Sequence, residues 1–250
     1  MKTIFKRVPA LDKCFSILEY LTEKKGSSSI SELSTKLDLN KSTVFNIVHT
    51  LTDIGVLENS SNQFRFGPKL YVFGKAAEKG SDLIRTIHPF LKEISKKTSL
   101  SAFLGIRSGH RAVIIDKADS SFDLKLSSEI GSRIPLLAGA HGRALLSLLP
   151  NEEIDKILRE NELSQFTPFS CVDKEKYRAM VCDVKEKGIA VDREEYIEGV
   201  RALAIPLNIN RDGLQIAIWA VGLKNQLKDE SISIYSNLLR EIAHKIEIQF

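Results

Sequence analysis

Within the ten residues Lys41 to Thr50 the chain carries Lys41, Ser42, Thr43, Phe45, Asn46, His49 and Thr50, and no acid. Val44, Ile47, Val48 and Leu51 recur at helical spacing, so the other seven side chains share the opposite, solvent-facing side of one helix. Such a face suits duplex DNA. Lys41 and the free amides of a helix start can hold phosphates. Ser42, Thr43, Asn46 and His49 offer donors and acceptors to base edges, and Phe45 can meet a thymine methyl or a sugar. Any solvated helix also shows Ser, Thr, Asn and Lys, so an ordinary helical hairpin is the alternative. The lack of acids before Asp53, and an aromatic ring on a polar face, favour DNA.

The elements before and after this helix are those that would present it. A first helix is expected from about Pro9 to Lys24, with Leu11, Cys14, Phe15, Leu18 and Leu21 on one face and Lys24-Lys25-Gly26 as its end. Ser29-Ile30-Ser31-Glu32 has the pattern of a capping box and opens a second helix, with Ile30, Leu33 and Leu37 inward. After the turn Asp38-Leu39-Asn40, Asn40 is expected to cap the third helix, which Gly55 stops. Two short helices joined by a tight turn place the second in a major groove. Val56–Glu58 and Gln63–Phe66 alternate around the polar run Asn59–Asn62, which predicts a β-hairpin. As a wing beside the reading helix, it would carry Arg65 to a minor groove or a phosphate. Gly67-Pro68 then begins a helix to about Gly80 that links two domains, with boundaries expected at 1–67, 68–80 and 81–250.

The remaining residues mix helices and strands, and the fold class expected is α+β. Helices are expected at Asp82–Thr98, Gly142–Leu149, Lys174–Lys187 and from about Asp229 to Ile248. Strands are expected at Ala102–Ile106, Ala112–Lys117, Ile189–Asp192, Val200–Leu207 and Leu214–Val221, with a further one at Asp123–Leu126. An Arg211-Asp212-Gly213 turn would join the last two.

A second chemistry lies at Pro135-Leu136-Leu137-Ala138-Gly139-Ala140, which leads into a helix near His141-Gly142. A loop of small residues entering a helix leaves free amides at its positive end, which suits a carboxylate; tight packing of small residues is the other reading. His141 is either a ligand group or an ordinary helix-start residue. Asp192, Glu194, Glu195 and Glu198 offer carboxylates, though a solvated turn also explains them. The five histidines show no metal-ligand spacing with the cysteines, and no phosphate loop or nucleophile elbow is present. No catalytic residue, metal or cofactor is therefore expected.

Composition narrows the class. The 250 residues are 43% hydrophobic and 27% charged, the balance of a globular protein of one or two domains. No run reaches the ~20 apolar residues of a membrane span, and the N-terminus has no apolar run of signal-peptide type. Three widely spaced cysteines suit a reducing cytoplasm. Residues 1–80 hold 12 basic and 8 acidic side chains, while 81–250 hold 24 of each. The whole net charge of +4 thus sits in the first third, as a polyanion-binding domain would have it.

VPALDKCFSILEYL, then SISELSTKLDLNKSTVFNIVHTLTDIGVLE, then QFRFGPKLYVFGKAA together resemble the winged helix-turn-helix of IclR-type bacterial transcriptional regulators. Independently, GSRIPLLAGAHGRALLSLLP and GIAVDREEYIEGVRALAIP resemble the second domain of the same family, so the likeness spans nearly the whole chain. It implies a PAS/GAF-like α/β domain that binds a small effector. Ala140 and His141 fall where the family's loop amides hold an acid ligand, and Asp192 falls on an acid that faces the pocket. Ala202, Trp219 and Val221 fall on strand positions where small-acid sensors carry Cys and Ser. Leu104 and Leu136 are expected as apolar lining. These exchanges disfavour glyoxylate or pyruvate; Trp219 either narrows the pocket or stacks on a bulkier or aromatic ligand, and an organic acid or aromatic effector is expected. Asn46 and Asn40 stand where the family commonly has Arg and Pro, which implies a different operator.

The expected protein is a ligand-responsive regulator that binds a palindromic operator as a homodimer or tetramer, because one short helix reads too few bases. The first helix and the 68–80 helix are the expected dimer contacts. The competing class is a metabolic enzyme with an appended helical dimerisation domain; a third is a regulator whose second domain only oligomerises.

Overall fold

The computed structural model describes residues 6–80, 82–122, 125–209 and 213–250. The chain forms two compact units, Met1–Ser81 and Asp82–Phe250. Among the described residues, no helix is long and apolar enough to cross a membrane.

The first unit holds α1 (Pro9–Lys24), α2 (Ile30–Leu37), α3 (Lys41–Asp53), the hairpin β1 (Leu57–Ser60) and β2 (Gln63–Phe66), and α4 (Pro68–Gly80). Ile17, Leu21, Leu33, Val44, Val48 and Phe64 are buried together, closing the three helices and the hairpin on one core. On α1 the buried side chains are Ile17 and Leu21; Leu11 and Phe15, expected inward, are exposed at 57% and 62%. That helix ends with Lys25 in the left-handed region, one residue before Gly26. The hairpin turns through Ser61 and Asn62, both at positive φ, the twist that a two-residue turn between right-twisted strands requires. Ser28 and Phe64 exchange backbone hydrogen bonds of 2.9 Å each, so the segment before α2 anchors the hairpin.

The second unit is one antiparallel six-stranded sheet with helices on both faces. In chain order it contains α5 (Asp82–Thr98), β3 (Ser101–Ser108), β4 (Arg111–Ala118), β5 (Arg133–Pro135), α6 (Gly139–Ser147), α7 (Asn151–Glu160), α8 (Lys174–Lys187), β6 (Ala190–Arg193), β7 (Val200–Leu207), β8 (Ile216–Leu223) and α9 (Asp229–Glu247). The strand order is β5-β4-β3-β8-β7-β6. One face buries Leu104, Leu203, Ile205, Ile216 and Ile218 with side chains of α5 and α9. The other buries Phe103, Ala202, Ala204 and Trp219 with α6, α7 and α8. β5 and α7 add to the elements expected from the sequence. Of the strand expected at Asp123–Leu126, Lys125 and Leu126 form no strand and the first two residues lie outside the described ones. The turn expected at Arg211-Asp212-Gly213 also lies outside them, except for Gly213.

Candidate nucleic-acid interface and ligand cavity

α3 begins at Lys41 with no acid in its first turn. Asn40 precedes it but makes no side-chain cap; its carbonyl accepts from the Val44 amide at 3.0 Å instead. That leaves the amides of the first turn without a side-chain cap, as an anion site at a helix start needs. By contrast, the Ser29 hydroxyl does accept from the Glu32 amide at 3.2 Å, opening α2. The Glu32 carboxylate does not complete the capping box: it takes Lys24 at 2.6 Å and the Tyr20 hydroxyl at 2.9 Å, which ties α1 to α2.

Lys41, Ser42, Phe45, Asn46 and Thr50 are exposed on α3, and Thr43 and His49 are half-buried. His49 lies against Phe45 with the rings tilted by 48° and centroids 4.2 Å apart, and meets Phe64 of the hairpin edge-on at 5.5 Å. It therefore sets the pose of Phe45 and the distance of the hairpin from α3. The Thr50 hydroxyl donates back to the Asn46 carbonyl at 2.7 Å, which fills its donor within the helix. Arg65 stands opposite Glu58 across the hairpin and donates to its carboxylate at 2.9 and 3.1 Å. A phosphate must displace Glu58 before Arg65 can serve DNA.

In the second unit a cavity of about 150 Å³ opens between the sheet and α6. Its walls are aromatic: Phe103 and Trp219 lie near-parallel with centroids 6.0 Å apart, and Tyr196 closes another side, wedged edge-on against Phe166 at 5.1 Å. Ile114, Ile134, Ala202 and Val221 add apolar surface, and Ser127 and Ser128 bring hydroxyls to the rim. Two buried polar side chains, His141 and Asp192, face into it. His141 Nε2 lies 3.1 Å from the Pro135 carbonyl, and because a carbonyl only accepts, Nε2 carries the hydrogen. Burial lowers the pKa of the ring to about 4, so it is neutral and Nδ1 is a bare acceptor. Burial raises the Asp192 carboxyl to about 6, against the Glu195 amide that Oδ1 accepts at 2.7 Å.

The first turn of α6 explains the small residues of its loop. Gly139 sits at φ +59°, and a Cβ there would lie 2.6 Å from Asp192 Oδ2. A Cβ on Gly142 would lie 1.8 Å from the Leu136 carbonyl. The helix is thereby pressed onto both the preceding loop and the Asp192 carboxyl. Arg143, almost fully buried, grips the Glu195 carboxylate with both terminal nitrogens and donates to the Val191 carbonyl at 2.7 Å. Burial opposes its charge, but Glu195 outweighs it and holds the guanidinium pKa raised. The Thr167 and Ser170 hydroxyls donate to the Glu194 and Glu195 carbonyls at 2.6 Å each. This network fixes the turn after β6, which carries Tyr196 to the cavity. Among the described residues, no group of three His, Cys, Asp or Glu side chains is placed to hold a metal ion.

Residues 75–248 match the family described as bacterial transcriptional regulator IclR C-terminal, and residues 10–61 match the IclR helix-turn-helix domain. The chain belongs to the IclR family. Over 245 residues it is 31% identical to the HTH-type transcriptional regulator KdgR of Escherichia coli, covering 97% of this chain and 92% of that one. The HTH-type transcriptional repressor AllR of the same species is 29% identical over 243 residues, 96% and 90% of the two chains. A crystal structure of an IclR transcriptional regulator from Alicyclobacillus acidocaldarius superposes with a TM-score of 0.84 at 24% identity, covering 97% and 99% of the chains, and shares the fold.

Within this IclR-family chain, His141, Asp192, Ala202, Trp219 and Val221 share the cavity wall. The two residues expected as apolar lining, Leu104 and Leu136, do not. Leu104 points to the opposite face of the sheet, into the α5 and α9 core, because it neighbours Phe103 on a strand and side chains alternate. Leu136 packs in the α6 core and lines a separate pocket of about 190 Å³ with His110 and Arg111. Ala140, expected for its loop amide rather than as lining, sits in the first turn of α6 with its side chain in the core. The sequence reading missed Phe103, Ile134 and Tyr196. Phe103 had a signal: it pairs directly with Trp219 across antiparallel strands, and paired residues share a face.

Proposed function

We propose that this chain is a sequence-specific regulator whose operator binding responds to a small molecule held in the second-unit cavity. The observation that carries the reading is the exposed surface of α3, free of acids until Asp53, uncapped at its start and braced by the Phe45–His49–Phe64 ring contacts. Lys41 and the first-turn amides hold phosphates; Ser42, Thr43 and Asn46 read base edges, and Phe45 supplies an apolar contact. Arg65 joins from the wing once Glu58 is displaced. The likeness to AllR favours repression, in which the ligand-free protein occupies the operator.

Two-fold operators require two copies. Leu11 and Phe15 on α1 with Tyr71, Val72 and Phe73 on α4 are exposed apolar side chains that a second copy would cover. The chain works in the cytoplasm, with homodimer or tetramer as its assembly, and it catalyses no reaction.

Duplexes selected from a random pool by the purified protein supply the operator for gel shifts. Lys41→Ala and Thr43→Ala are expected to abolish the shift while leaving the melting temperature unchanged, and wild-type affinity is expected to fall steeply with salt. Unchanged binding by both variants rejects α3 as the reader.

A further inference from the structure

The pocket of about 190 Å³ beside His110 and Arg111 lies one wall away from the effector cavity and belongs to no role described above. Leu136, Leu137, Ile157 and Phe166 give it apolar walls. Arg111 opens β4, and its pairing with Pro135 of β5 sets it at the pocket.

The Arg111 guanidinium is uncommitted. Arg107, on the far side of the same turn, gives its charge to Glu153 at 2.7 Å. Arg111 has no carboxylate partner among the described residues. The one acid among the described lining residues, Glu162, takes Lys174 at 3.1 Å instead. Arg111 does reach the Tyr196 phenol electrostatically: burial raises the pKa of that group and the Arg111 charge opposes the rise.

An unpaired cation beside an apolar hollow is complementary to a compact apolar molecule that ends in one negative charge. The size agrees. A hole of roughly 150 Å³ takes a benzene ring, so this pocket has room for a ring whose acid group is directed to Arg111. A guanidinium meets a carboxylate with two parallel hydrogen bonds. Among the described lining residues there is no Lys and no second Arg, so a doubly charged anion is poorly matched.

The hollow is also partitioned from the effector cavity. Phe166, on this side, meets Tyr196, on the other, edge-on at 5.1 Å. Pro135 lines this pocket while its carbonyl holds His141 of the cavity at 3.1 Å.

We propose that this pocket is a second small-molecule site, distinct from the effector cavity, which takes a monocarboxylate with a compact apolar body, its acid group paired with Arg111 and its body against Leu137, Ile157 and Phe166. The site stands whatever the effector cavity binds.

The two pockets have separate reporters, because Ile157 lines this one and Ile114 lines the effector cavity. Full-length protein with isotope-labelled isoleucine methyl groups is titrated by NMR with benzoate and with benzamide, its neutral isostere. Benzoate is expected to shift the Ile157 methyl saturably and to bind there at least about fivefold more tightly than benzamide, the ratio of one exposed ion pair. Arg111→Gln changes an exposed side chain. It is expected to bring benzoate at Ile157 down to the benzamide level while the Ile114 methyl behaves as in the wild type. Absence of a saturable Ile157 shift overturns the site. Equal binding of the two probes, or an unchanged Ile157 curve in Arg111→Gln, overturns the pairing with Arg111 and the carboxylate class. Ile157 and Ile114 following one curve in both proteins means that only the effector cavity fills, and also overturns the second site. A responsive Ile157 beside a silent Ile114 supports it, and leaves the effector cavity and DNA binding to be judged by the operator gel shift.

Discussion

Asp192 and His141 lie in one cavity with pKa values displaced in opposite directions, so their effects on stability oppose each other across the same pH window. The Asp192 carboxyl rises from 3.8 to about 6 in the folded chain. Between those values the folded state holds a proton that the unfolded state has lost, so this group's contribution is complete below about pH 4 and is lost as pH rises through about 6. His141 falls from 6.5 to about 4. Its contribution is complete above about pH 6.5 and is lost as pH falls through about 4. At ~1.4 kcal/mol per pH unit, each gap is worth on the order of 3 kcal/mol, and in the wild type the two nearly cancel. Asp192→Asn removes only the falling arm. The stability of the variant relative to wild type is expected to grow by about 3 kcal/mol from about pH 4 to about pH 7. His141→Gln is expected to give the mirror result, losing about that much relative to wild type over the same range. Urea melts followed by Trp219 fluorescence isolate the second unit, and taking differences removes every other titrating group. Parallel stability curves for wild type and Asp192→Asn would refute a buried, proton-holding carboxyl at this position.

Three further outcomes follow from the same geometry. Glu58→Gln releases Arg65 from its exposed partner and is expected to tighten operator binding by up to about fivefold, the worth of a surface ion pair of ~1 kcal/mol, read by gel shift at constant salt. Arg143→Ala leaves the half-enclosed Glu195 carboxylate and the Val191 carbonyl without their donor; a loss on the order of 3–5 kcal/mol is expected in denaturant melts, with DNA binding by the first unit retained when the second is kept folded at low temperature. Gly142→Ala forces a methyl against the Leu136 carbonyl, where only 1.8 Å is available; the shift of α6 is expected to lower the melting temperature and to shift the Trp219 emission together.

The DNA-binding unit was largely legible because its signals are local. Val44, Val48 and Leu51 repeat at helical spacing on a helix with a polar far side, and Ser61-Asn62 sit where a tight turn must fall. The errors there are of orientation. Leu11 and Phe15 share a stripe with Leu18 on α1, but the core admits only Ile17 and Leu21 fully and leaves the first two exposed. Asn40 is of the right type to cap α3, and its side chain does not do so. Glu32 has the capping-box position, yet Lys24 and Tyr20 compete for it successfully.

In the second unit most strands and helices were legible from the residue order, though β5 and α7 were not, and the family resemblance pointed to five of the residues around the cavity. Which face each strand residue serves was decided only in three dimensions. All of Val200–Leu207 is buried, so apolar side chains point both ways and alternation leaves no polar mark to tell the faces apart. Leu104 and Phe103 look equally suited to a pocket wall until pairing with Ile218 and Trp219 assigns them to opposite cores. The polarity of the cavity arises in the same way. Pro135, Gly139 and His141 are close in the chain, but Asp192 and the aromatic rings join them only when the sheet and α6 close on each other, because burial and hydrogen-bond partners are properties of the packed structure.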